Sequence, residues 1–408
     1  MKTSYPKDKI RILLLEGVHP AALRLLKNSG YSNIEAISGS LTSEELTRKI
    51  KDAHLVGIRS KTQLTADILR PAKNLIGIGA FCIGTNQIDM EACTRQGIAV
   101  FNSPFSNTRS VAEMVIAHSI NLLRRVTEKN EAAHRGVWKK DSTDCFEIRG
   151  KTLGIVGYGH IGSQVSVLAE TLGMKVLFYD VEPKLSLGNA HAVRTLDELI
   201  KQSDIVTLHV PETAATFHMM NANRLSRMRK GSYLINYCRG NVVDLDALRK
   251  MLEKGHIAGA AVDVFPKEPK TNQDLFTSPL QGLPNVILTP HIGGSTVEAQ
   301  ENIGIDVAGK LIQYLETGSS TGSLSVPTLS LPVQQETHRL LHIHYNRPGV
   351  LGEINSKLSR LKVNILGQYL QTNNEIGYVV TDCDKKTSEK ALEALKKVKH
   401  TIRVRNLY

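Results

Sequence analysis

The sequence predicts an α/β protein with two doubly wound parallel sheets and a small C-terminal domain of βαββαβ pattern. Short β-type runs alternate with helical patterns over residues 10–102, and a second series of the same kind begins near residue 151. Residues 317–336 have little periodicity and much Ser, Thr, Gly and Pro, which is typical of a linker. A chain of 408 residues is also too long for one hydrophobic core.

The first series is predicted from apolar runs with helical patterns between them. The runs "IRILLLEG", "LVGIRS", "LIGIGAF" and "IAVFN" indicate strands, and 20–28, 42–50 and 88–96 indicate helices. A long apolar helix is expected over 111–125. The second series has the strand-like runs "KTLGIVGYG", "KVLFYD", "DIVTLHV", "GSYLINY", "AGAAVDVF" and "NVILTP". Two such series favour two packed α/β domains.

After the linker, four β-type runs and two helical patterns follow in a ferredoxin-like order. The strands are expected at 339–344, 363–371, 376–381 and 401–406, and the helices at 349–361 and 388–399.

Composition excludes several classes of protein. Hydrophobic residues make up 41 %, and no apolar run has the length of a membrane span. The N-terminus lacks an apolar signal core, and the five cysteines have no metal-binding spacing, so we expect a cytoplasmic protein with reduced thiols and no metal. The net charge of +12 comes without an aromatic-rich basic run, which favours a solvated basic surface or a small anionic ligand over nucleic acid.

The stretch "GIVGYGHIG" carries the sharpest local signal. Gly157, Gly159 and Gly162 form G-x-G-x-x-G between a predicted strand and a predicted helix, and Asp180 ends the next strand. The glycines permit a tight turn, close approach of a pyrophosphate and close helix packing, and the helix N-terminus favours phosphate. An acid at the next strand end accepts hydrogen bonds from a ribose diol and repels a 2′-phosphate. The pattern therefore predicts NAD binding.

Three further residues follow successive predicted strands, at the sheet edge where such folds bind ligands. Arg239 follows "LINYC", Glu268 follows "AVDVFPK" and His291 follows "VILTP". The imidazole of a histidine can accept and donate a proton near neutral pH, and a carboxylate partner raises the pKa of that imidazole. An arginine can bind a substrate carboxylate through two hydrogen bonds. Each alone could be an ordinary surface or loop residue, but together at one sheet edge the three favour a functional site.

The segments "FCIGTNQID", "FNSPFSNTRSVAE", "GYGHIG", "DVFPKEP" and "LTPHIGGST" closely resemble those of the D-isomer-specific 2-hydroxyacid dehydrogenase family. The resemblance covers essentially the whole chain. It implies NAD-dependent oxidation of 3-phospho-D-glycerate to 3-phosphooxypyruvate, the first step of L-serine biosynthesis, with 2-oxoglutarate as a possible side substrate. It also implies a flavodoxin-like substrate-binding domain at 1–107 and 298–316, a Rossmann NAD-binding domain at 108–297, the linker at 317–336 and an ACT regulatory domain at 337–408.

The resemblance also implies roles for individual residues. His291 is the acid/base, Glu268 its partner, and Arg239 binds and polarises the 2-hydroxy carboxylate. Contacts to NAD are implied for Gly157, Gly159, His160, Ile161, Gly162, Asp180 and Asp263, and for the backbone of Tyr237, Cys238, Arg239, His291, Ile292, Gly293 and Gly294. Substrate contacts are implied for Arg59, Ser60, Lys61, Asn107, Arg239 and Lys140, the last in a segment with Trp138 that resembles one packing between subunits.

This chain departs from the family at three places. Lys61 stands where Arg is frequent, so the charge remains but the planar fork is lost. Tyr237 and Cys238 stand where small residues are usual. Arg239 could lower the pKa of the Cys238 thiol and make it sensitive to oxidation, but a role as a small apolar residue is favoured, as for most single cysteines. Gln335-Glu336-Thr337 stands where a glycine pair is expected, which predicts a stiffer linker.

The stretch "HIHYNRPGVL" resembles an ACT domain, an amino-acid-binding unit that often acts across a subunit interface. The resemblance implies L-serine as effector, bound by His344, Asn346 and Asn364, and a homotetramer. Two alternatives stay open at this point. One is a dinucleotide-sensing corepressor or binding protein, and the other is a sister dehydrogenase of glycerate, lactate or 2-oxoglutarate.

Overall fold

The computed structural model describes residues 6–269, 273–332, 337–384 and 388–407. The chain forms two compact units. The first unit comprises Met1–Ser106 and Gln300–Tyr408, and the second unit comprises Asn107–Ala299. Within the described ranges, none of the helices combines the length and the apolar character that crossing a bilayer requires.

The first unit begins with a parallel sheet of five strands in the order β2-β1-β3-β4-β5. This is the flavodoxin-like order, as predicted. Alternate residues of its strands point to two apolar layers, so that Leu13 and Val56 lie in one core and Ile12 and Leu55 in the other. The strands are β1 (Ile12–Leu14), β2 (Ile34–Ala36), β3 (Leu55–Ile58), β4 (Gly77–Ala80) and β5 (Ala99–Asn102). The helices are α1 (Pro20–Asn28), α2 (Ser43–Ile50), α3 (Ala66–Leu69) and α4 (Met90–Gln96).

The second unit holds seven parallel strands in the order β12-β11-β10-β9-β6-β7-β8, the Rossmann order with one added strand. The prediction of a Rossmann domain is confirmed, and only the two-residue strand β8 was not expected. The strands are β6 (Thr152–Val156), β7 (Lys175–Tyr179), β8 (His191–Ala192), β9 (Ile205–Leu208), β10 (Ser232–Asn236), β11 (Ile257–Val262) and β12 (Val286–Leu288). The helices are α5 (Thr108–Arg124), α6 (Val126–His134), α7 (His160–Thr171), α8 (Leu196–Gln202), α9 (Ala222–Arg227) and α10 (Leu245–Glu253).

Helix α11 (Val297–Thr317) returns the chain to the first unit. Most of the predicted linker follows, at residues 318–332, and its serines pair with strand β5. The Ser325 hydroxyl accepts from Val100 N at 2.9 Å and donates to Ile98 O at 2.6 Å. Gln335 and Glu336, where a glycine pair was expected, lie outside the described residues. The domain boundaries drawn from the sequence stay a prediction.

The last part of the first unit is an antiparallel sheet in the order β14-β15-β13-β16, with two helices. It has the predicted βαββαβ order: β13 (His338–Tyr345), α12 (Val350–Arg360), β14 (Ile365–Thr372), β15 (Ile376–Cys383), α13 (Ser388–Lys396) and β16 (Thr401–Leu407). One face packs on the two helices. The other face places Leu341 and Tyr378 in one core with Tyr314 of α11. The buried ion pair of Arg339 and Asp382, at 2.7 and 2.9 Å, lies beside this core.

Candidate active site

Three loops at one edge of the second unit's sheet carry the predicted catalytic residues. Strands β10, β11 and β12 are parallel neighbours, so their carboxyl ends lie side by side. Arg239 follows β10, Glu268 follows β11 and His291 follows β12. The structure thus brings together residues that are 52 positions apart.

Glu268 and His291 form the predicted pair. The Nδ1 atom of His291 lies 2.8 Å from Oε2 of Glu268, and Oε1 of Glu268 accepts from Phe265 N at 3.1 Å. The hydrogen bond to Glu268 raises the pKa of His291, and burial opposes that shift without cancelling it. Burial works to raise the pKa of Glu268, but the hydrogen bond and charge of His291 outweigh it and leave the pKa lowered. With Nδ1 held by Glu268, Nε2 is the atom left to exchange a proton.

Arg239 is placed by a turn built on a fully buried asparagine. The Asn236 amide donates to Arg239 O at 3.0 Å, and its carbonyl oxygen accepts from Cys238 N at 3.2 Å. Nη1 of Arg239 donates to Cys238 O at 2.7 Å. The charge of Arg239 acts on the Glu268–His291 pair, since it lowers the pKa of both members although larger causes set their net shifts. A guanidinium beside an acid/base pair suits a carboxylate ligand.

His291 has a left-handed backbone conformation, with φ of 54°, which is uncommon outside glycine. Asp263 holds this strained turn by accepting hydrogen bonds from three of its backbone N–H groups. His291 N donates to Asp263 O at 2.8 Å, Ile292 N donates to Oδ1 at 2.9 Å, and Gly293 N donates to Oδ2 at 2.8 Å. The predicted cofactor residues 291–293 are therefore fixed by one buried residue, whose backbone carbonyl holds His291 and whose carboxylate holds Ile292 and Gly293.

A row of polar side chains continues from Asp263 into the protein. Thr289 Oγ1 lies 2.5 Å from Oδ1 of Asp263 and 3.4 Å from the Tyr237 hydroxyl. The Tyr237 hydroxyl closely contacts Nδ1 of His118, which belongs to α5. Sequence reasoning missed Thr289, His118 and Asn236. Thr289 stands at a strand end where it could have been noticed, but His118 lies in an apolar helix pattern and carries no such signal.

The alternative that Cys238 is a reactive thiol was wrong. Its side chain is buried, and burial raises the pKa of the thiol to about 11, although the charge of Arg239 works in the opposite direction. Its sulfur donates to Oδ1 of Asn236 at 3.1 Å. A buried thiol that stays protonated is a poor nucleophile, so the structure offers no activated thiolate at this position.

The glycine-rich turn has the geometry expected for a dinucleotide. Gly157 has φ of 90°, and a Cβ atom there would lie 2.4 Å from His209 O. A Cβ atom at Gly162 would lie 2.2 Å from Gly157 O, so the first and third glycines are required by backbone contacts. The space at Gly159 is open, where a pyrophosphate would approach the exposed His160 and the start of α7 with Ile161.

Asp180 lies at the end of β7, next to this turn. Its carboxylate accepts from Tyr158 N at 2.7 Å and from Glu182 N at 3.0 Å. Lys184 pairs with Glu182 at 2.7 Å. Two backbone hydrogen bonds thus hold the acid in the position expected for a ribose ligand.

Asn107 lies against the turn that carries His291. A Cβ atom at Gly294 would lie 2.0 Å from Asn107 Nδ2. Asn107 Oδ1 is buried and has no hydrogen-bond partner among the described residues. Lys140 and Trp138 lie in an exposed loop of the same unit, and Trp138 is 85 % exposed.

The predicted substrate-contact residues Arg59, Ser60 and Lys61 lie in a loop of the first unit. A buried carboxylate holds this loop, because Glu16 accepts from Arg59 N at 3.2 Å and from Lys61 N at 2.9 Å. Gln87 donates to Arg59 O at 2.7 Å. The side chains of Ser60 and Lys61 are exposed, and that of Arg59 is half-buried. The loop is therefore ordered around backbone contacts, with its polar side chains available to a ligand.

The predicted effector residues occupy different ends of the antiparallel sheet. His344 pairs with Gly377 on β15, and its ring is buried with Nδ1 at 2.9 Å from Tyr345 O. Asn346 is exposed and donates to Asn373 O at 2.7 Å. The exposed Asn364 precedes Ile365, which pairs with Cys383 at the other end of β15. The two pairings lie six positions apart along β15, roughly 20 Å, so one chain does not bring all three residues together.

Comparison with known proteins agrees with this architecture. Residues 116–293 match the family described as D-isomer specific 2-hydroxyacid dehydrogenase, NAD binding domain, and residues 340–403 match the AHAS small subunit-like ACT domain. The chain is 56 % identical over 409 aligned residues to D-3-phosphoglycerate dehydrogenase of Escherichia coli K12, with all of both chains covered. The Haemophilus influenzae enzyme of the same name is 52 % identical, covering 100 % of this chain and 99 % of the relative.

A solved structure with bound ligands is also similar. The D-lactate dehydrogenase of Aquifex aeolicus, complexed with NAD and lactic acid, is 30 % identical with a TM-score of 0.66. That match covers 78 % of this chain and all of the other. With the glycine turn, the Rossmann order and these relatives, NAD is the cofactor and the protein is an oxidoreductase. The chain belongs to the D-isomer-specific 2-hydroxyacid dehydrogenase family.

Proposed function

We propose that this protein oxidises 3-phospho-D-glycerate reversibly to 3-phosphooxypyruvate with NAD, the first step of L-serine biosynthesis. The observation that carries the proposal is the Glu268–His291 pair beside Arg239, in a chain 56 % identical over its full length to an enzyme of that activity by name. Reduction of 2-oxoglutarate, which also bears an anionic group at each end, is proposed as a side reaction.

In the oxidation, neutral His291 accepts the proton of the substrate hydroxyl at Nε2. Glu268 stabilises the imidazolium that forms, because its carboxylate already accepts a hydrogen bond from Nδ1. Arg239 binds the substrate carboxylate and orients the hydroxyl carbon. NAD, when bound, takes the hydride from that carbon. In the reverse direction the imidazolium returns the proton to the carbonyl oxygen.

The same proposal assigns the cofactor contacts. The backbone of the glycine turn and the start of α7 bind the pyrophosphate, and Asp180 binds the adenosine ribose. Asp263 and the neighbouring backbone bind the nicotinamide half. The residues are Gly157, Gly159, His160, Ile161, Gly162, Asp180, Tyr237, Cys238, Arg239, Asp263, His291, Ile292, Gly293 and Gly294. The close backbone contacts at Gly157 and Gly162 and the open space at Gly159 support this assignment.

The substrate phosphate is assigned to cations and small polar groups. Arg59, Ser60, Lys61 and Asn107 are proposed to bind it, and Lys140 is proposed to reach the site of a neighbouring subunit. The Glu16 contacts that order the loop at 59–62 support the assignment, because a preformed loop loses little entropy on binding. The unpartnered, buried Oδ1 of Asn107 also suits a site that a ligand completes.

A panel of hydroxy acids tests the substrate. NADH formation should be fastest, as kcat/KM, with 3-phospho-D-glycerate and much slower with D-glycerate and D-lactate. Arg59→Gln should raise KM for the phosphorylated acid and leave D-glycerate nearly unchanged. The control is Arg70→Gln, because Arg70 is an exposed arginine of the same unit that pairs with Asp67. Faster turnover of lactate or glycerate by the unmodified enzyme would overturn the assignment.

We also propose that L-serine is the feedback effector and binds at an interface between two copies of the antiparallel sheet. Strand β14 is an edge strand, and it exposes the apolar side chains of Ile365, Leu366 and Leu370. An exposed apolar edge is a pairing surface. Antiparallel pairing of β14 with its two-fold copy brings Asn364 of the partner subunit to the end of the sheet that holds His344 and Asn346.

Serine binding tests this site. Calorimetry should detect L-serine binding to the full-length protein, and Asn346→Ala should abolish it together with inhibition. Asn374→Ala is the matched control, because Asn374 is an exposed asparagine in the neighbouring turn. To inhibit, serine must bind the less active arrangement of the enzyme more tightly than the active one. The size of the inhibition cannot exceed this difference in affinity. Undiminished inhibition of Asn346→Ala would place the effector elsewhere.

We also propose a homotetramer assembled through two such surfaces. The β14 edge supplies one, and the loop at 135–140 with its exposed Trp138 supplies the other. Light scattering on the full-length protein should give the mass of four chains. A monomer in that measurement would contradict both interfaces.

A further inference from the structure

Four hydrogen-bonding side chains from four separate elements form one row in the second unit. His118 comes from α5, Tyr237 follows β10, Thr289 follows β12 and Asp263 follows β11. The exposed fractions of His118, Tyr237 and Asp263 are 8 %, 6 % and 2 %. Buried polar groups need partners within the protein, and the contacts from His118 to Tyr237, Thr289 and Asp263 supply them.

The number of protons available determines which group donates and which accepts in each hydrogen bond of this row. Both oxygens of Asp263 accept backbone N–H groups, so Thr289 must use its single proton to donate to Asp263. The Thr289 oxygen can then only accept, and Tyr237 donates to it. The oxygen of Tyr237 in turn accepts from Nδ1–H of His118. This arrangement satisfies all three contacts, whereas the opposite tautomer of His118 leaves Thr289 without a donor.

His118, Tyr237 and Thr289 are uncharged, and Asp263 at the end of the row carries its only charge. Burial lowers the pKa of His118 and raises that of Tyr237, so an uncharged imidazole meets an uncharged phenol. The ring of Tyr237 also supports the turn that carries His291, because a Cβ atom at Gly293 would lie 2.8 Å from its Cδ1 atom. The hydroxyl and the ring of Tyr237 thus act on Asp263 and on the turn that Asp263 holds.

We infer that His118 and Tyr237 are positioning residues for the nicotinamide half of NAD, acting through Thr289 on Asp263. This inference rests on the proposed contact of Asp263 with that half. The adenosine half is assigned to other elements, the glycine turn and Asp180, which share no member with the row.

The test compares two ligands that differ only by the nicotinamide ring. Calorimetry or fluorescence titration measures Kd for NADH and for ADP-ribose on the full-length enzyme. For Tyr237→Phe we expect the Kd of NADH to rise about fivefold to tenfold, the value of one hydrogen bond. The Kd of ADP-ribose should stay within about twofold. Thr289→Val should give the same pattern.

Two controls separate positioning from general damage. Tyr233→Phe removes a second buried phenol hydroxyl from β10 and should change neither Kd. His118→Asn keeps an N–H close to the position of Nδ1, so its Kd for NADH should lie nearer to the unmodified value than that of His118→Leu. If Tyr237→Phe does not fold, the two His118 variants and Thr289→Val test the inference in its place.

An unchanged Kd for NADH in folded Tyr237→Phe would overturn the inference. Equal weakening of NADH and ADP-ribose would also overturn it, because a structural defect affects both halves. Neither measurement contains a hydroxy acid, so an error in the proposed substrate leaves the result interpretable.

Discussion

Asp180 should decide the choice between NAD and NADP. Its carboxylate is fixed at the end of β7 by two backbone N–H groups, at 2.7 and 3.0 Å. A 2′-phosphate bears a charge of about −1.5 to −2. At about 4 Å, repulsion costs about 1 kcal/mol per pair of unit charges in bulk water and about 4 kcal/mol at an effective dielectric constant of about 20. Even the aqueous value gives about 1.5 kcal/mol, so the enzyme should prefer NAD by at least about tenfold.

The perturbation is Asp180→Asn, which removes the charge and keeps a side-chain acceptor for Tyr158 N. The kcat/KM with NADP should rise by about tenfold or more, and that with NAD should fall because the ribose loses a charged partner. Steady-state rates with both cofactors, at two ionic strengths, give the ratio.

Glu182→Gln is the matched control for this change. Glu182 is an exposed carboxylate of the same turn, and it pairs with Lys184. If repulsion at short range sets the preference, the control changes the ratio much less than Asp180→Asn does. An unchanged ratio in Asp180→Asn would remove Asp180 from cofactor selection, and equal effects of both variants would assign the preference to the general field of the turn.

Three further predictions concern the proton transfer, the buried ion pair and the sheet edge. His291→Ala should reduce turnover by about 10²–10⁴-fold while NADH still binds. Because Glu268 raises the pKa of His291, the neutral base of Glu268→Gln should persist to lower pH and move the acid limb of the oxidation profile downward; an unmoved profile would exclude Glu268. Asp382→Ala should destabilise the fold by about 3–5 kcal/mol in denaturant unfolding, because Arg339 stays buried without its partner, and Arg339→Met/Asp382→Leu should recover most of that loss. Leu366→Lys should halve the assembled mass in light scattering if β14 is an interface.

Much of the fold follows from local patterns that the chain repeats. Apolar runs between helical segments predicted both parallel sheets, and helix signals such as the Thr42–Glu45 capping box are present where α2 begins. Strands β2 and β8 were missed because they are short and partly exposed, so they lack a continuous apolar run. The loop at 59–61 was assigned to the substrate by resemblance, but Glu16, whose carboxylate orders this loop, lies 43 positions before Arg59 and has no local signature.

The sequence by itself determined the glycine turn, the acid at the next strand end and the three residues at successive strand ends, because each depends on a residue type at a fixed place in a strand–loop–helix unit. The tertiary structure alone decided the properties that depend on neighbours distant along the chain. Cys238 adjoins a cation in sequence, yet burial dominates and raises its pKa. Tyr237 meets His118 from 119 positions away, and Asn364 lies at the far end of the sheet from His344. Desolvation and hydrogen bonding arise from packing, and packing joins residues that no local pattern relates.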